Sequence, residues 1–181
     1  RMDNWQQDLY MRPTIYKSDL GIGVRLHDLK DEFCMFVMAY EPYVKNDTNA
    51  HVTISSWRRI DDNVIPARGK VAGAYANSAL IKTDANRAGF DEAIVLDNHG
   101  HVSEGSAMNI FMLRDGVLVT PPITDNILEG ITRRSIIEVA RKELGIEIVE
   151  RSIDRTEVFI AEEMFMTGTA AQVVAITKVD H

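Results

Sequence analysis

The chain reads as an α+β protein whose sheet is largely antiparallel. Short apolar stretches of strand length recur along it, several joined by Gly-containing turns. Hairpins alternate with isolated helices, and the strict βαβ alternation that builds a parallel sheet is missing.

Taken in order, the opening residues carry no helix-start signal. LYMRPTIYK, 9–17, reads as a strand, with Pro13 placing it at an edge or bulge. EFCMFVMAY, 32–40, is apolar enough for a buried strand. Residues 41–51 are polar and turn-rich and read as a linker. HVTISSW alternates as a strand does, and RRIDDNVIPARG reads as loop, since Pro66 disfavours helix just before it. From Ala74 to Ala88 the pattern is helical, and Gly89 is placed to end it. DEAIVLD and HVSEGSAMNIFML read as two strands around a turn at Asn98–Gly100. Asp115-Gly116 marks a second turn before VLVTPP. ITRRSIIEVARKELG is the clearest helix: Ile136, Ile137, Ala140 and Leu144 share a face, and Gly145 follows as its stop. IEIVE reads as a strand, TEVFIAEEM as a short helix, and MFMTGTAAQVVAITKV as strand, Gly turn and strand.

Composition excludes several function classes. The net charge is −7 and the cations form no stripe, which argues against nucleic acid as a partner. No apolar run is long enough to span a bilayer, and no signal-peptide pattern opens the chain. Cys34 is the only cysteine, so neither a disulfide framework nor a cysteine-rich metal site is expected, and a reducing, soluble compartment is the natural reading. His99 and His101 flank Gly100 in a turn, but no third ligand lies near in sequence, so no metal site is expected.

Three features could carry chemistry. Lys70 is a long cation among short residues, in ARGKVAGAYANSAL. It is either an ordinary surface lysine or one that something large must approach closely. LEGIT, 128–132, leads into the clearest helix, and TGTAA, 167–171, places Gly168 between two threonines. Each is an ordinary cap or turn, or a donor of backbone N–H groups to a phosphate. Glu104 sits on a mostly apolar strand, so it lies at an exposed edge or has a specific buried cation as partner. A lysine, a strand carboxylate and two phosphate-like turns are the parts a pyridoxal phosphate enzyme needs. No GxxxxGK segment followed by Ser or Thr is present, which excludes a P-loop.

These residues also carry a resemblance. KVAGAYANSAL, GFDEAIVLDNHGHVSEGSAMNIF, DGVLVTPPITDNILEGITRRSII and EEMFMTGTAAQVVAI resemble the class IV (fold type IV) pyridoxal-phosphate aminotransferases. The spaced set Glu104, Asn109, Phe111, Thr120, Gly130 and Arg133 is specific to that class. YMR, 10–12, is similar to a segment of its branched-chain amino acid branch. The resemblance implies that Lys70 forms the Schiff base with pyridoxal 5'-phosphate and moves the substrate proton. It implies that Tyr75 bonds the cofactor's phenolic oxygen, that Glu104 pairs with the pyridinium nitrogen, and that Leu128 packs on the ring. Gly130, the amides of Ile131 and Thr132, and Thr169 would cradle the phosphate. Tyr10, Arg12, Tyr43, Thr169 and Ala170 would shape the substrate side, and Val24 falls in a loop that reaches a neighbouring subunit in relatives.

The fold so implied is the C-terminal part of a small α/β domain, 1–40, an interdomain loop, 41–51, and a larger pseudo-barrel cofactor domain, 52–181. The reaction implied is ping-pong transfer of an amino group from leucine, isoleucine or valine to 2-oxoglutarate by a cytoplasmic homodimer or higher homo-oligomer. A D-amino acid aminotransferase or an aminodeoxychorismate lyase would share Lys70, Glu104 and the phosphate turns. The chain departs from the family in starting after an early arginine that helps bind the phosphate and in stopping before the usual C-terminal helix. It is therefore expected to be truncated at both ends, and an inactive fragment that acts only in binding is the remaining alternative.

Overall fold

The computed structural model describes residues 8–45 and 48–181. The first seven residues of the expected small-domain segment, and residues 46–47 of the expected interdomain loop, lie outside them. The chain divides into two compact units, Arg1–Glu41 and Pro42–His181.

In the first unit β1 (Leu9–Lys17) and β2 (Asp31–Ala39) pair antiparallel, with Leu9 opposite Ala39 and Lys17 opposite Asp31. The expectation that 32–40 is a buried strand is wrong for this chain: Phe33 is 61% exposed, and Met35, Phe36 and Met38 are also exposed. Among the described residues no second layer covers either face of this two-stranded ribbon, so apolar content alone does not bury it.

The second unit is built on an eight-stranded sheet in the order β5-β4-β3-β10-β9-β6-β7-β8. Its strands are β3 (Ala50–Arg58), β4 (Glu92–Leu96), β5 (Val102–Gly105), β6 (Asn109–Arg114), β7 (Val117–Thr120), β8 (Ile148–Glu150), β9 (Glu163–Gly168) and β10 (Gln172–Val179). The sheet is mixed rather than largely antiparallel, for β3 pairs with β4, β10 with β3, and β7 with β8 in parallel. Two of these pairs explain the helices. Helix α1 (Tyr75–Arg87) connects β3 to β4, and α2 (Ile131–Lys142) connects β7 to β8. Segments that look isolated in sequence are thus the crossovers that parallel neighbours require.

The sheet curls back on itself. β5 and β6 lie five positions apart, which in a flat sheet is ~24 Å. Only Ser106, Ala107 and Met108 join them, and the steps from Gly105 to Asn109 reach at most ~15 Å. The stretch expected as one strand, HVSEGSAMNIFML, is therefore two strands broken at the seam of a nearly closed barrel. Its interior is lined by Val52, Ile94, Leu96, Ile110, Met112, Met166 and Val174. Strand alternation sends the intervening side chains outward. Ala93 and Val95 pack with Ile81 and Ala85 of α1, while Phe111 packs with Ile137 and Ala140 of α2.

Turns follow the chemistry of their residues. Gly100 (φ +91°) turns β4 into β5, and Asp115 and Gly116 (φ +51° and +76°) turn β6 into β7. Helix α2 stops at Lys142, so Leu144 lies beyond it and is 63% exposed instead of joining the buried face. In the stretch expected as a short helix, Arg155–Ile160 is a 3₁₀ turn, and β9 begins at Glu163. Among the described residues no helix is long and apolar enough to cross a membrane.

Candidate active site

Glu104 is aimed by an irregularity in its strand. Val95 lies opposite Glu104 and Leu96 opposite Val102, so Ser103 is an extra residue on β5. Val102 joins Leu96 in the barrel interior, whereas Glu104 shares the register position of Val95, which packs toward α1. The bulge thus moves one carboxylate out of the apolar interior.

The buried alternative, a specific cationic partner, is what the structure shows. Arg59 Nη2 lies 2.7 Å from Glu104 Oε1, with side chains 10% and 4% exposed. Glu104 Oε2 accepts from Asn109 Nδ2 and from the Leu128 backbone N–H, each at 3.1 Å. Asn109 Nδ2 also donates to the Leu128 carbonyl at 2.8 Å. A carboxylate offers about four lone-pair sites, so these three donors leave one acceptor position on Glu104. Burial pushes the Glu104 carboxyl up to about 7, against the opposing pull of the Arg59 guanidinium, the Leu128 N–H and the Lys70 ammonium.

Arg59 falls in a stretch read from sequence as plain loop, and sequence reasoning missed it. The available signal was the demand of Glu104 for a buried cation. Its position is set by a backbone bond from its own N–H to the Leu96 carbonyl, and Nε donates to the Asn126 carbonyl at 3.4 Å.

Lys70 and Tyr75 lie on the same side. Lys70 is exposed, and its Nζ sits 5.5 Å from the centroid of the Tyr75 ring. Lys70, Tyr75, Leu128 and Arg59 line one small pocket together with Val71 and Ala74. Space is open beside the lysine: a side chain placed on Gly73 would meet nothing within 4 Å.

The class-specific residues sort into two physical groups. Glu104, Asn109 and Gly130 belong to the carboxylate network. A Cβ on Gly130 would lie 2.2 Å from Asn109 Oδ1, so the amide that serves Glu104 is what forbids a side chain there. Phe111, Thr120 and Arg133 are structural. Phe111 stacks on Phe165, Thr120 Oγ1 donates to the Ile110 carbonyl at 2.7 Å, and Arg133 ties the Pro121 carbonyl to Glu150.

Helix α2 begins at Gly130 with no side chain capping it. The amides of Ile131 and Thr132 lie in its first turn, where N–H groups have no intrahelical partner and favour an anion. Thr169 and Ala170 form the turn between β9 and β10, with Thr169 exposed. Tyr43 stacks under the Lys82 ammonium, 5.3 Å from ring centroid to Nζ. In the other unit, Arg12 Nη2 donates to the Tyr10 hydroxyl at 3.3 Å and lies over the Tyr10 ring. Val24 is exposed in the loop between β1 and β2.

A group with an aldehyde, a basic ring nitrogen and a phosphate fits these residues. Lys70 supplies an amine, Glu104 a carboxylate with one acceptor position left, and α2 an uncapped N-terminus. All three stand within the second unit.

Comparison with known proteins agrees with this geometry. Residues 2–179 match the family described as amino-transferase class IV. The chain is 44% identical over 181 residues to a probable branched-chain-amino-acid aminotransferase of Aquifex aeolicus, and spans 58% of that protein. It superposes with TM-score 0.94 and 39% identity on a branched-chain aminotransferase of Thermoproteus uzoniensis solved with norvaline, covering 98% of this chain and 59% of that one. A Thermobaculum terrenum branched-chain amino acid aminotransferase in PLP-form gives TM-score 0.91 at 36% identity, covering 99% and 58%. The chain thus spans a little over half the length of the relatives it matches.

Proposed function

We propose, from the premise that this chain belongs to the class IV amino-transferase family, that it is the part of a branched-chain L-amino acid aminotransferase that carries the pyridoxal 5'-phosphate site. The reaction is transfer of the amino group of leucine, isoleucine or valine to 2-oxoglutarate in two alternating half-reactions at one lysine. One observation carries the cofactor assignment: Glu104 is buried, fixed by Arg59, Asn109 and the Leu128 N–H, and lies close enough to Lys70 to feel its charge. The substrate class follows the relatives' names.

When bound, pyridoxal 5'-phosphate supplies the electron sink that lets an amino acid lose its Cα proton. Lys70 Nζ would hold it covalently at rest and then serve as the base that takes and returns that proton. Glu104 would keep a negative charge opposite the ring nitrogen, and Arg59 opposes the protonation that burial imposes on it. The Tyr75 hydroxyl would bond the ring's phenolic oxygen. Leu128 would cover the ring and keep water from it. Gly130, Ile131, Thr132 and Thr169 would bind the phosphate through backbone N–H groups and a hydroxyl.

Tyr10, Arg12, Tyr43 and Ala170 are assigned to the substrate side. The first 40 residues are assigned to the small domain and 52–181 to the cofactor domain, which the division at Glu41–Pro42 supports. A cytoplasmic homodimer or higher homo-oligomer completes the proposal, on the likeness to the family.

The test is spectroscopic, then kinetic. Protein mixed with pyridoxal 5'-phosphate should gain a visible absorption band, and borohydride should fix the cofactor's mass on Lys70. Assays with L-leucine, D-alanine and aminodeoxychorismate then separate the substrate classes. No band, or cofactor fixed elsewhere than Lys70, defeats the cofactor assignment. Turnover of D-alanine without 2-oxoisocaproate from L-leucine defeats the substrate assignment.

A further inference from the structure

A second group of chemistry-bearing side chains stands apart from Lys70 and is unused by the transamination. Asp97 directly follows β4, His101 directly precedes β5, and Asp125 lies between β7 and α2. Their donor atoms all lie within 4.8 Å of one another. Read from sequence, His101 had only His99 as a companion. The fold gives it two carboxylates instead, one from across the β4–β5 turn and one from a distant loop.

Both carboxylates are sealed in. Asp97 is 2% exposed and Asp125 is 7% exposed. Asp97 Oδ1 accepts the backbone N–H groups of His99 and His101, each at 2.9 Å, which fixes its carboxylate. Asp125 is different. Its Oδ2 is shut off from solvent and has no hydrogen-bond partner. A buried carboxylate oxygen without a donor is costly, and a second buried carboxylate nearby makes it costlier. The molecule therefore places an unmet demand for positive charge at this point.

We propose that Asp97, His101 and Asp125 bind a divalent zinc-type cation. One imidazole nitrogen and two carboxylate oxygens are a three-ligand N/O set that zinc accepts, with a fourth position left for water. Tetrahedral zinc with ~2.0–2.2 Å bonds needs its donors ~3.3–3.6 Å apart, so binding draws the most widely separated donors together by up to ~1.5 Å. His101, whose side chain is 37% exposed, forms the entry path, and Asp154 lies 3.5 Å from its Nε2 on the outer side. Asp154 also bridges to His101 through the backbone. Asp125 is anchored on its other side, where Ser103 Oγ donates to its carbonyl at 2.5 Å.

The ion would be structural, and its effect would reach the carboxylate network. Ser103 is the bulge residue that aims Glu104, and Asn126, next to Asp125, offers its carbonyl to Arg59. A cation holding Asp125 to β4 and β5 would brace the bulge and this loop together. The binding itself stands independently of the aminotransferase reading.

The test uses the whole chain, stripped with chelator and titrated with Zn²⁺ alone by calorimetry, with thermal unfolding followed in parallel. One ion per chain should bind at micromolar affinity or tighter, and Tm should rise on saturation. His101→Gln and Asp125→Asn should each weaken this binding at least 100-fold, while far-UV circular dichroism of the metal-free variants stays that of the parent. His101→Gln is the safer variant for folding because its side chain is partly exposed. Absence of saturable uptake overturns the proposal. Uptake that survives in both variants also overturns it, since the ion would then sit on the other histidines.

Discussion

Glu104 is sealed in and held at both oxygens, whereas Lys70 stands in solvent on an irregular segment with open space beside Gly73. One end of the site is over-determined and the other is free to move. The contrast matches the two jobs proposed for these residues. A charge that must face one ring atom gains from being fixed beforehand, since fixed donors need no reorganisation during the reaction. An amine that must bond, release and carry a proton needs freedom. The network also shows what fixing costs, because burial drives Glu104 toward the protonated form and Arg59 must oppose it.

The sharpest way to break the contrast is at the free end. Lys70→Ala should lower transamination by roughly 1,000-fold or more and abolish borohydride fixation of the cofactor. Because Lys70 is exposed, unfolding free energy should move by no more than ~0.5 kcal/mol. Denaturant titration beside the kinetic assay checks both, and a large stability loss would mean that Lys70 is not free.

At the fixed end the balance reverses. Arg59→Met leaves Glu104 buried without its counter-charge and should cost about 3–5 kcal/mol of stability. Adding Glu104→Gln should recover part of that loss, and a double-mutant cycle measures the coupling. Two purely additive losses would show that the ion pair contributes nothing.

A pH series sharpens the same point. The folded Glu104 carboxyl sits near 7, above the ordinary 4.5, so the native state binds the proton more tightly than the unfolded chain. Stability from this group is greatest below pH 4.5, falls as pH rises to 7, and stays at its lowest above that. Measured against Glu104→Gln, wild type should lose up to about 3 kcal/mol across that window and then level off. A difference that does not change between pH 4.5 and 7 would contradict a raised Glu104.

The smallest expected change is Gly130→Ala. The new methyl must displace Asn109, which loses its bonds to Glu104 and to the Leu128 carbonyl, for about 1–3 kcal/mol. Cofactor affinity, read by absorbance titration, should fall with it. An unchanged affinity would separate the Asn109 amide from cofactor binding.

Legibility in the sequence followed how local each feature is. The Asp115-Gly116 turn and the stop at Gly89 could be read directly, because each needs a positive φ at that residue. The open surroundings of Lys70 could be read because its small neighbours are adjacent in the chain. Glu104 announced that it needed a cation but could not name Arg59, since that pairing depends on a bulge at Ser103 that no local pattern encodes. The parallel pairings were hidden for the same reason: nothing in α1 or α2 tells which strands each connects. The exposed β2 failed differently, because an apolar pattern says that a surface needs cover and not whether this chain supplies it.

The position of β10 has a consequence for how the molecule comes into being. It is the last of the eight strands to leave the ribosome, yet it sits in the middle of the sheet between β3 and β9. Until it is synthesised, β5-β4-β3 and β9-β6-β7-β8 are two ribbons tethered by three residues, each with a raw edge. A nascent chain must therefore wait with both halves of this sheet open, exposed to capture by a chaperone or by another chain's edge, until β10 arrives and joins them.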